Sequence, residues 1–214
     1  MQTAPPVTRK ATRPRADALR NRERIVTAAR EMFVEHGPDV PLDEIARRAG
    51  VGNATVYRNF PDRDALVREV VCSVMDRTAL AAERALAENG DAFAALERFV
   101  HTAADERVSA LCPMIASTFD EHHPDLLAAR GRVERLVEEV MARAKAAGQL
   151  RPDVGVGDLM LAAAQLSRPP AGAACLSVDR YVHRHLQLFL DGLRAPARSH
   201  LPGATVTLED LRQA

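Results

Sequence analysis

The chain has 214 residues, of which 47% are hydrophobic and 27% charged, so it is long enough to bury a core and too apolar to remain disordered. No apolar run is long enough to span a bilayer, and the N-terminus MQTAPPVTRKATRPRAD lacks the apolar core of a secretory signal, so no membrane partner and a cytoplasmic location are expected. Net charge is zero but unevenly spread: Arg9, Lys10, Arg13, Arg15, Arg20, Arg22 and Arg24 face only Asp17 and Glu23 in the first 24 residues, a pattern that suits a polyanion or a solvated tail.

Residues 1–16 contain Pro5, Pro6 and Pro14 and no apolar periodicity, and read as a flexible basic arm. The first helix follows from Asp17, with Leu19, Ile25, Ala28, Ala29, Met32 and Phe33 on one face, and His36-Gly37-Pro38 ends it. A second helix is predicted over Leu42–Arg48, with Pro41 at its first turn, where its missing N–H costs nothing, and a third over about Asn53–Asn59. Phe60-Pro61 breaks the chain, and Asp62 is placed to cap a long fourth helix over Arg63–Glu88. A fifth carries Phe93, Leu96, Phe99 and Val100. A sixth carries Val108, Leu111, Cys112 and Ile115, and FDEHHPD then makes a loop. The remaining helices are predicted over Leu126–Ala147, Asp158–Leu166 and Val178–Leu193. The only strand candidate is the short GATVTL near the C-terminus, and Thr207–Asp210 could cap one helical turn. The fold class is therefore all-α, with about nine helices: a head over residues 17–62, a helical body over 63–195 and a tail over 196–214. Cys72, Cys112 and Cys175 are widely spaced with no CxxC, and read as buried thiols of a reducing compartment.

Helices as short as the second and third are marginal alone and make sense only when both pack on the first. Gly50 suits the tight turn between them, and Ala46 lets them approach closely. This is the helix-turn-helix plan, in which the second short helix enters a DNA major groove. Val56 and Phe60 should face inward, leaving Asn53, Ala54, Thr55, Tyr57, Arg58 and Asn59 for solvent or DNA. Arg reads guanine and Asn reads adenine, whereas Thr, Tyr and Asn can donate to phosphates. Arg63, at the start of the fourth helix, is placed as a phosphate anchor, and Arg20, with Arg13 and Arg15, is expected to add electrostatic affinity for DNA and to reach toward the minor groove. The bland alternative is a three-helix core with an ordinary polar surface.

RIVTAAREMFVEHG and VPLDEIARRAGVGNATVYRNFPDRDAL resemble the TetR family of bacterial transcriptional repressors. Ala28, Ala29, Phe33, Gly37, Ile45-Ala46, Ala49-Gly50-Val51, Thr55, Tyr57 and Phe60 carry the match. Pro41-Leu42 stands where the family often has Ser or Thr, and Asn59 where many members have His. The resemblance implies a homodimer that binds a palindromic operator in double-stranded DNA and is released by a small molecule bound in the body. It also implies that the last two helices form the dimer. On those helices Leu159, Ala162, Leu166, Val178, Tyr181, Val182, His185 and Phe189 make stripes that suit an interface or an internal core.

No GxSxG, HExxH, P-loop or GxGxxG motif occurs, so neither an enzyme nor a cofactor is expected. Asp120, Glu121, His122, His123 and Asp125 could hold a metal, but an exposed loop before a helix is the commoner reason for such a cluster, and no metal is expected. A purely architectural DNA binder would not need so large a body. The body's expected effector cavity takes in Val74, Thr78, Phe93, Phe99, His101, Met114, Phe119 and Met141, and an apolar or mildly polar ligand. His101 also reads as a partly buried, hydrogen-bonded histidine. With aromatic residues at 4% and no Trp, a stacking cage for planar cations has little support.

Overall fold

The three- and four-residue spacing of apolar side chains produces eight α-helices among the described residues of the computed structural model, which are 13–37, 39–106, 122–167, 179–207 and 209–210. They are α1 (Arg13–His36), α2 (Leu42–Ala49), α3 (Asn53–Asn59), α4 (Arg63–Ala87), α5 (Ala92–Asp105), α6 (Pro124–Ala146), α7 (Val156–Leu166) and α8 (Asp179–Leu193). None of the described helices is long and apolar enough to cross a membrane. The predicted helix around Val108–Ile115 lies outside the described residues, as do Cys112, Met114, Phe119, Cys175 and Val178.

Two expectations are corrected. Helix α1 begins at Arg13, inside the stretch read as a flexible arm; Pro14 is tolerated there because first-turn N–H groups have no helical partner. The described part of GATVTL is not a strand, and among the described residues the one β-type pairing is an isolated antiparallel bridge between Leu150 and Arg194.

The chain divides into two compact units, Met1–Val70 and Val71–Ala214. In the first, α1 packs on α2 and α3. Its core joins Ile25, Ala29 and Phe33 of α1 to Ile45 and Ala46 of α2, Val56 of α3, Phe60, and Leu66 and Val70 of α4, all buried. Asp62 caps α4 by accepting from the Ala65 N–H at 2.7 Å.

In the second unit, α5 packs against α6, α7 and α8, and α7 also contacts α6 and α8. Phe93, Leu96, Val137, Met141, Leu186 and Leu190 fill its centre. His123, from the loop considered for a metal, caps α6: its Nδ1 accepts from the Asp125 N–H at 3.3 Å. Arg151, only 4% exposed, ties the loop before α7 to the chain after α8. Its Nε and Nη2 donate to the Asp153 carboxylate at 2.7 and 2.8 Å, and Nη2 also donates to the Ser199 carbonyl at 2.8 Å. The Arg151 hydrogen bonds hold the Asp153 carboxyl below the usual carboxylate range.

The tail crosses the start of α7. The Val206 N–H donates to Asp158 Oδ1 at 3.3 Å, and the Gly155 N–H donates to Asp158 Oδ2 at 2.8 Å. Thr207 and Asp210 exchange the reciprocal hydrogen bonds of a capping box, as their spacing suggested. A Cβ on Gly157 would stand 2.7 Å from the Val206 carbonyl carbon and 2.8 Å from the Thr207 oxygen, and closer still to the Val206 oxygen. Within a helix, Gly→Ala ordinarily gains about 0.5–1 kcal/mol. Here backbone must move instead, so Gly157→Ala should lose about 1–3 kcal/mol. A lowered urea midpoint and faster proteolysis of the tail would show it.

Candidate nucleic-acid interface and effector cavity

The turn between α2 and α3 fixes how α3 is presented. Gly50 adopts φ 64 and ψ 38, the left-handed conformation that glycine takes without steric cost. Its N–H donates to the Arg47 carbonyl at 3.1 Å, and the Val51 N–H donates to the Ala46 carbonyl at 3.0 Å, the paired bonds of a Schellman stop. Arg24 of α1 closes over this turn, donating to the Gly50 carbonyl at 3.1 Å. Asp43 and Glu44 in the first turn of α2, and Arg47 and Arg48 in its last, complement the helix dipole. Glu31 and Glu35 of α1 receive Arg48 at 3.0 and 3.3 Å, and the Glu31 hydrogen bond raises its pKa further.

With Val56 and Phe60 buried, the other side of α3 is open. Asn53, Ala54, Tyr57 and Arg58 are exposed, and Thr55 and Asn59 are half-buried. Arg58 lies along its own helix, donating from Nε to the Ala54 carbonyl at 3.0 Å and from Nη2 to Thr55 Oγ1 at 3.2 Å. Asn59 donates from Nδ2 to the Thr55 carbonyl at 2.7 Å, so its amide is engaged within α3. Arg20 is exposed and pairs with Asp17.

Arg63 is placed differently from the phosphate contact expected of it. Its Nη1 donates to the Val40 carbonyl at 2.7 Å, and its guanidinium lies 5.8 Å from the Phe33 ring centroid. It clamps the loop before α2 onto α1, because Val40 and Phe33 are buried beside it.

Arg22, read only as one charge of a basic segment, organises the far side of the head. It donates to the Glu69 carboxylate from Nε at 3.2 Å and Nη2 at 2.7 Å, and from Nη1 to the Asn59 carbonyl at 3.0 Å. It also lies 4.4 Å over the Phe60 ring. One side chain thus holds α1, the end of α3 and the start of α4 together. Glu69 lies too far along the chain for local spacing to reveal that pairing.

The second unit holds an apolar cavity of about 150 Å³. Its walls are Thr78 of α4, Phe99, Val100, Ala103 and Ala104 of α5, and Val133 and Val137 of α6. Helix α7 adds Leu159, Met160, Ala163 and Ala164, and Ser167 follows at its end. Of the residues expected in such a cavity, Thr78 and Phe99 line it. Val74, Phe93 and Met141 are buried in the core without lining it. His101 is engaged elsewhere: its Nδ1 is 2.9 Å from His183 Nδ1 and its Nε2 is 3.1 Å from Gln187 Oε1. His183 in turn reaches Asp105 at 2.9 Å. The cavity's alanines escaped the sequence reading because small residues carry no signal until facing helices are known.

The stripe on α8 divides in two. Leu186, Leu190 and Leu193 are buried within the chain, and Tyr181, Val182, His185, Leu188 and Phe189 lie outside that core. Leu188 is 60% exposed and Tyr181 45%. On α7, Leu161 is exposed and Ala162 and Leu166 half-buried, whereas Leu159 is 2% exposed and belongs to the cavity wall, so its side chain is already taken up inside the chain. On these two helices Leu161 and Leu188 are exposed apolar residues without a signal in the sequence stripes, and Leu188 lies one heptad after Tyr181.

Two family models match the chain: bacterial regulatory proteins of the tetR family over residues 25–70, and the C-terminal domain of SbtR-like transcriptional regulators over residues 90–195. The TetR transcriptional regulator SCO0520 from Streptomyces coelicolor is 32% identical with a TM-score of 0.63; the match covers 82% of this chain and 99% of that one. The TetR-like regulator LfrR from Mycobacterium smegmatis, solved in complex with proflavine, is 27% identical with a TM-score of 0.63 over 86% of this chain and 99% of that one. In sequence alone, the transcriptional repressor LfrR is 37% identical over 109 residues, 51% of this chain and 53% of LfrR. The chain thus spans about half the length of the first curated relatives it matches. With a paired-helix head matched in sequence and nearly the whole length of a 32%-identical regulator matched in structure, the chain belongs to the TetR family of transcriptional regulators.

Proposed function

We propose that the chain is a repressor that binds a palindromic operator as a homodimer through α3 and leaves it when a small neutral molecule occupies the body. The observation that carries the DNA reading is the outward row Asn53, Ala54, Tyr57 and Arg58 on a short helix held by the Gly50 turn. Arg58 and Asn53 read base edges, and Tyr57 and Thr55 meet phosphates. The exposed α8 face supports the dimer, and the apolar cavity supports the effector. Helix α4 has Arg63 at its start and Thr78 in the cavity wall, so a ligand that favours a tilt of α4 would alter the spacing of two heads. A two-fold dimer needs half-sites about 34–36 Å apart, or a multiple of that, so a changed spacing weakens binding.

Selection from random duplexes by the purified chain tests the reading. It should enrich an inverted repeat whose half-site centres lie about one helical turn, or a whole number of turns, apart. Enrichment of no sequence, or of a single unrepeated site, would overturn it.

A further inference from the structure

We infer that the cavity in the second unit selects an uncharged aromatic or aliphatic molecule of about benzene to indole size, bearing at most one hydroxyl or N–H group. This rests on the reading of the cavity as the effector site and specifies the ligand class that it takes.

Size comes first. A space of about 150 Å³ accepts a benzene-sized guest, and this apolar pocket has that volume and is open on one side, so a guest can enter it. Its walls suit a flat molecule. Ala103 of α5 and Ala163 of α7 leave room on facing helices, Phe99 offers a ring for edge or offset contact, and Met160 adapts to the outline of a guest.

Polarity comes second. Among the described residues that line the cavity none is charged, and the only side-chain polar groups are the hydroxyls of Thr78 and Ser167. Thr78 is 5% exposed, and its hydroxyl proton is already given to the Val74 carbonyl at 3.0 Å. Its oxygen can therefore accept from a guest but not donate to one. A hydroxyl or an indole N–H meets that requirement. An ammonium, a planar cation or a carboxylate seated against this wall would lose water without meeting an opposite charge among the described lining residues. Proflavine, held by LfrR, is therefore a contrasting probe for this cavity.

Thermal unfolding of the full chain with benzene, phenol, indole, benzoate and proflavine tests this. The three neutral probes should raise Tm by about 5–10 °C at a hundredfold excess over Kd. Benzoate and proflavine should leave it unchanged. Ala163→Phe, or Ala103→Leu should the first not fold, should abolish the neutral shifts with helical circular dichroism retained. In the unaltered chain, the Met160 methyl resonance should move with phenol and not with benzoate. Thr78→Val should cost phenol about fivefold in affinity and leave benzene unaffected. Absence of a shift with every neutral probe, or a benzoate or proflavine shift removed by filling the cavity, would overturn the ligand class. Operator titrations separate this from the regulatory reading. Neutral probes that bind without weakening operator affinity would support the ligand class and remove the effector role. Proflavine that enters the cavity and releases operator would do the opposite.

Discussion

A Leu188→Glu chain should sediment as a monomer and bind its operator at least about 100-fold more weakly than the unaltered chain. Leu188 is 60% exposed, and Tyr181 and His185 share its side of α8 at helical spacing. Leu186, Leu190 and Leu193 are already buried within the chain, so the outward row is the part of the helix that a second copy would cover. In a two-fold interface the same patch of each copy is covered, so the substitution would bury one new carboxylate on each partner. The head itself is untouched. What disappears is the coupling of two half-sites, whose contribution comes from effective concentration and not from any contact at residue 188. Leu127→Glu is the control: Leu127 is 47% exposed, but on α6. It should remain dimeric with ordinary affinity. Sedimentation equilibrium and fluorescence anisotropy on one duplex provide both readings.

The second large effect belongs to Arg58. Arg58→Ala should lose about 1–3 kcal/mol of discrimination between operator and scrambled duplex, the range of a bidentate arginine–guanine contact. In the DNA-free chain its guanidinium rests on the Ala54 carbonyl and Thr55 hydroxyl, both on its own helix. Those are exposed hydrogen bonds of about 0.5–1.5 kcal/mol each, and they can be exchanged for bonds to a base edge. Arg63→Ala separates reading from support. Arg63 clamps the Val40 carbonyl beside the Phe33 ring, so its loss should lower the stability of the head while the ratio of operator to scrambled affinity stays near its original value. Competition titrations of both variants, at one salt concentration, distinguish these outcomes.

The helix starts and stops were legible because they depend on local chemistry. Gly50 required a left-handed turn, Asp62 offered a cap, and Pro61 forbade continuation, all within a few residues of where they act. The inward side of α3 followed from Val56 and Phe60 by period alone. Long-range partners were not legible. Arg63 at a helix start looks the same whether it faces a phosphate or the Val40 carbonyl, and only the path of the preceding loop decides. His101 could be a cavity residue until α8 brings His183 and Gln187 against it. The α8 stripe was visible, but its division into an inner row and an outer row required knowing which side α5 covers. Start positions also drifted where the rule is permissive, as at Pro14, which a first turn accepts as readily as a linker does.

The central claim is that α3 lies in the major groove of each operator half-site. Replacing Tyr57, which is 57% exposed on that helix, with a photoreactive phenylalanine analogue gives the most direct measurement. On irradiation with the selected duplex, crosslinks should map to one short stretch in each half of the repeat, symmetrically about its centre. The same analogue at Leu127 should give none. Crosslinks scattered along the duplex, or stronger from position 127 than from position 57, would contradict the account.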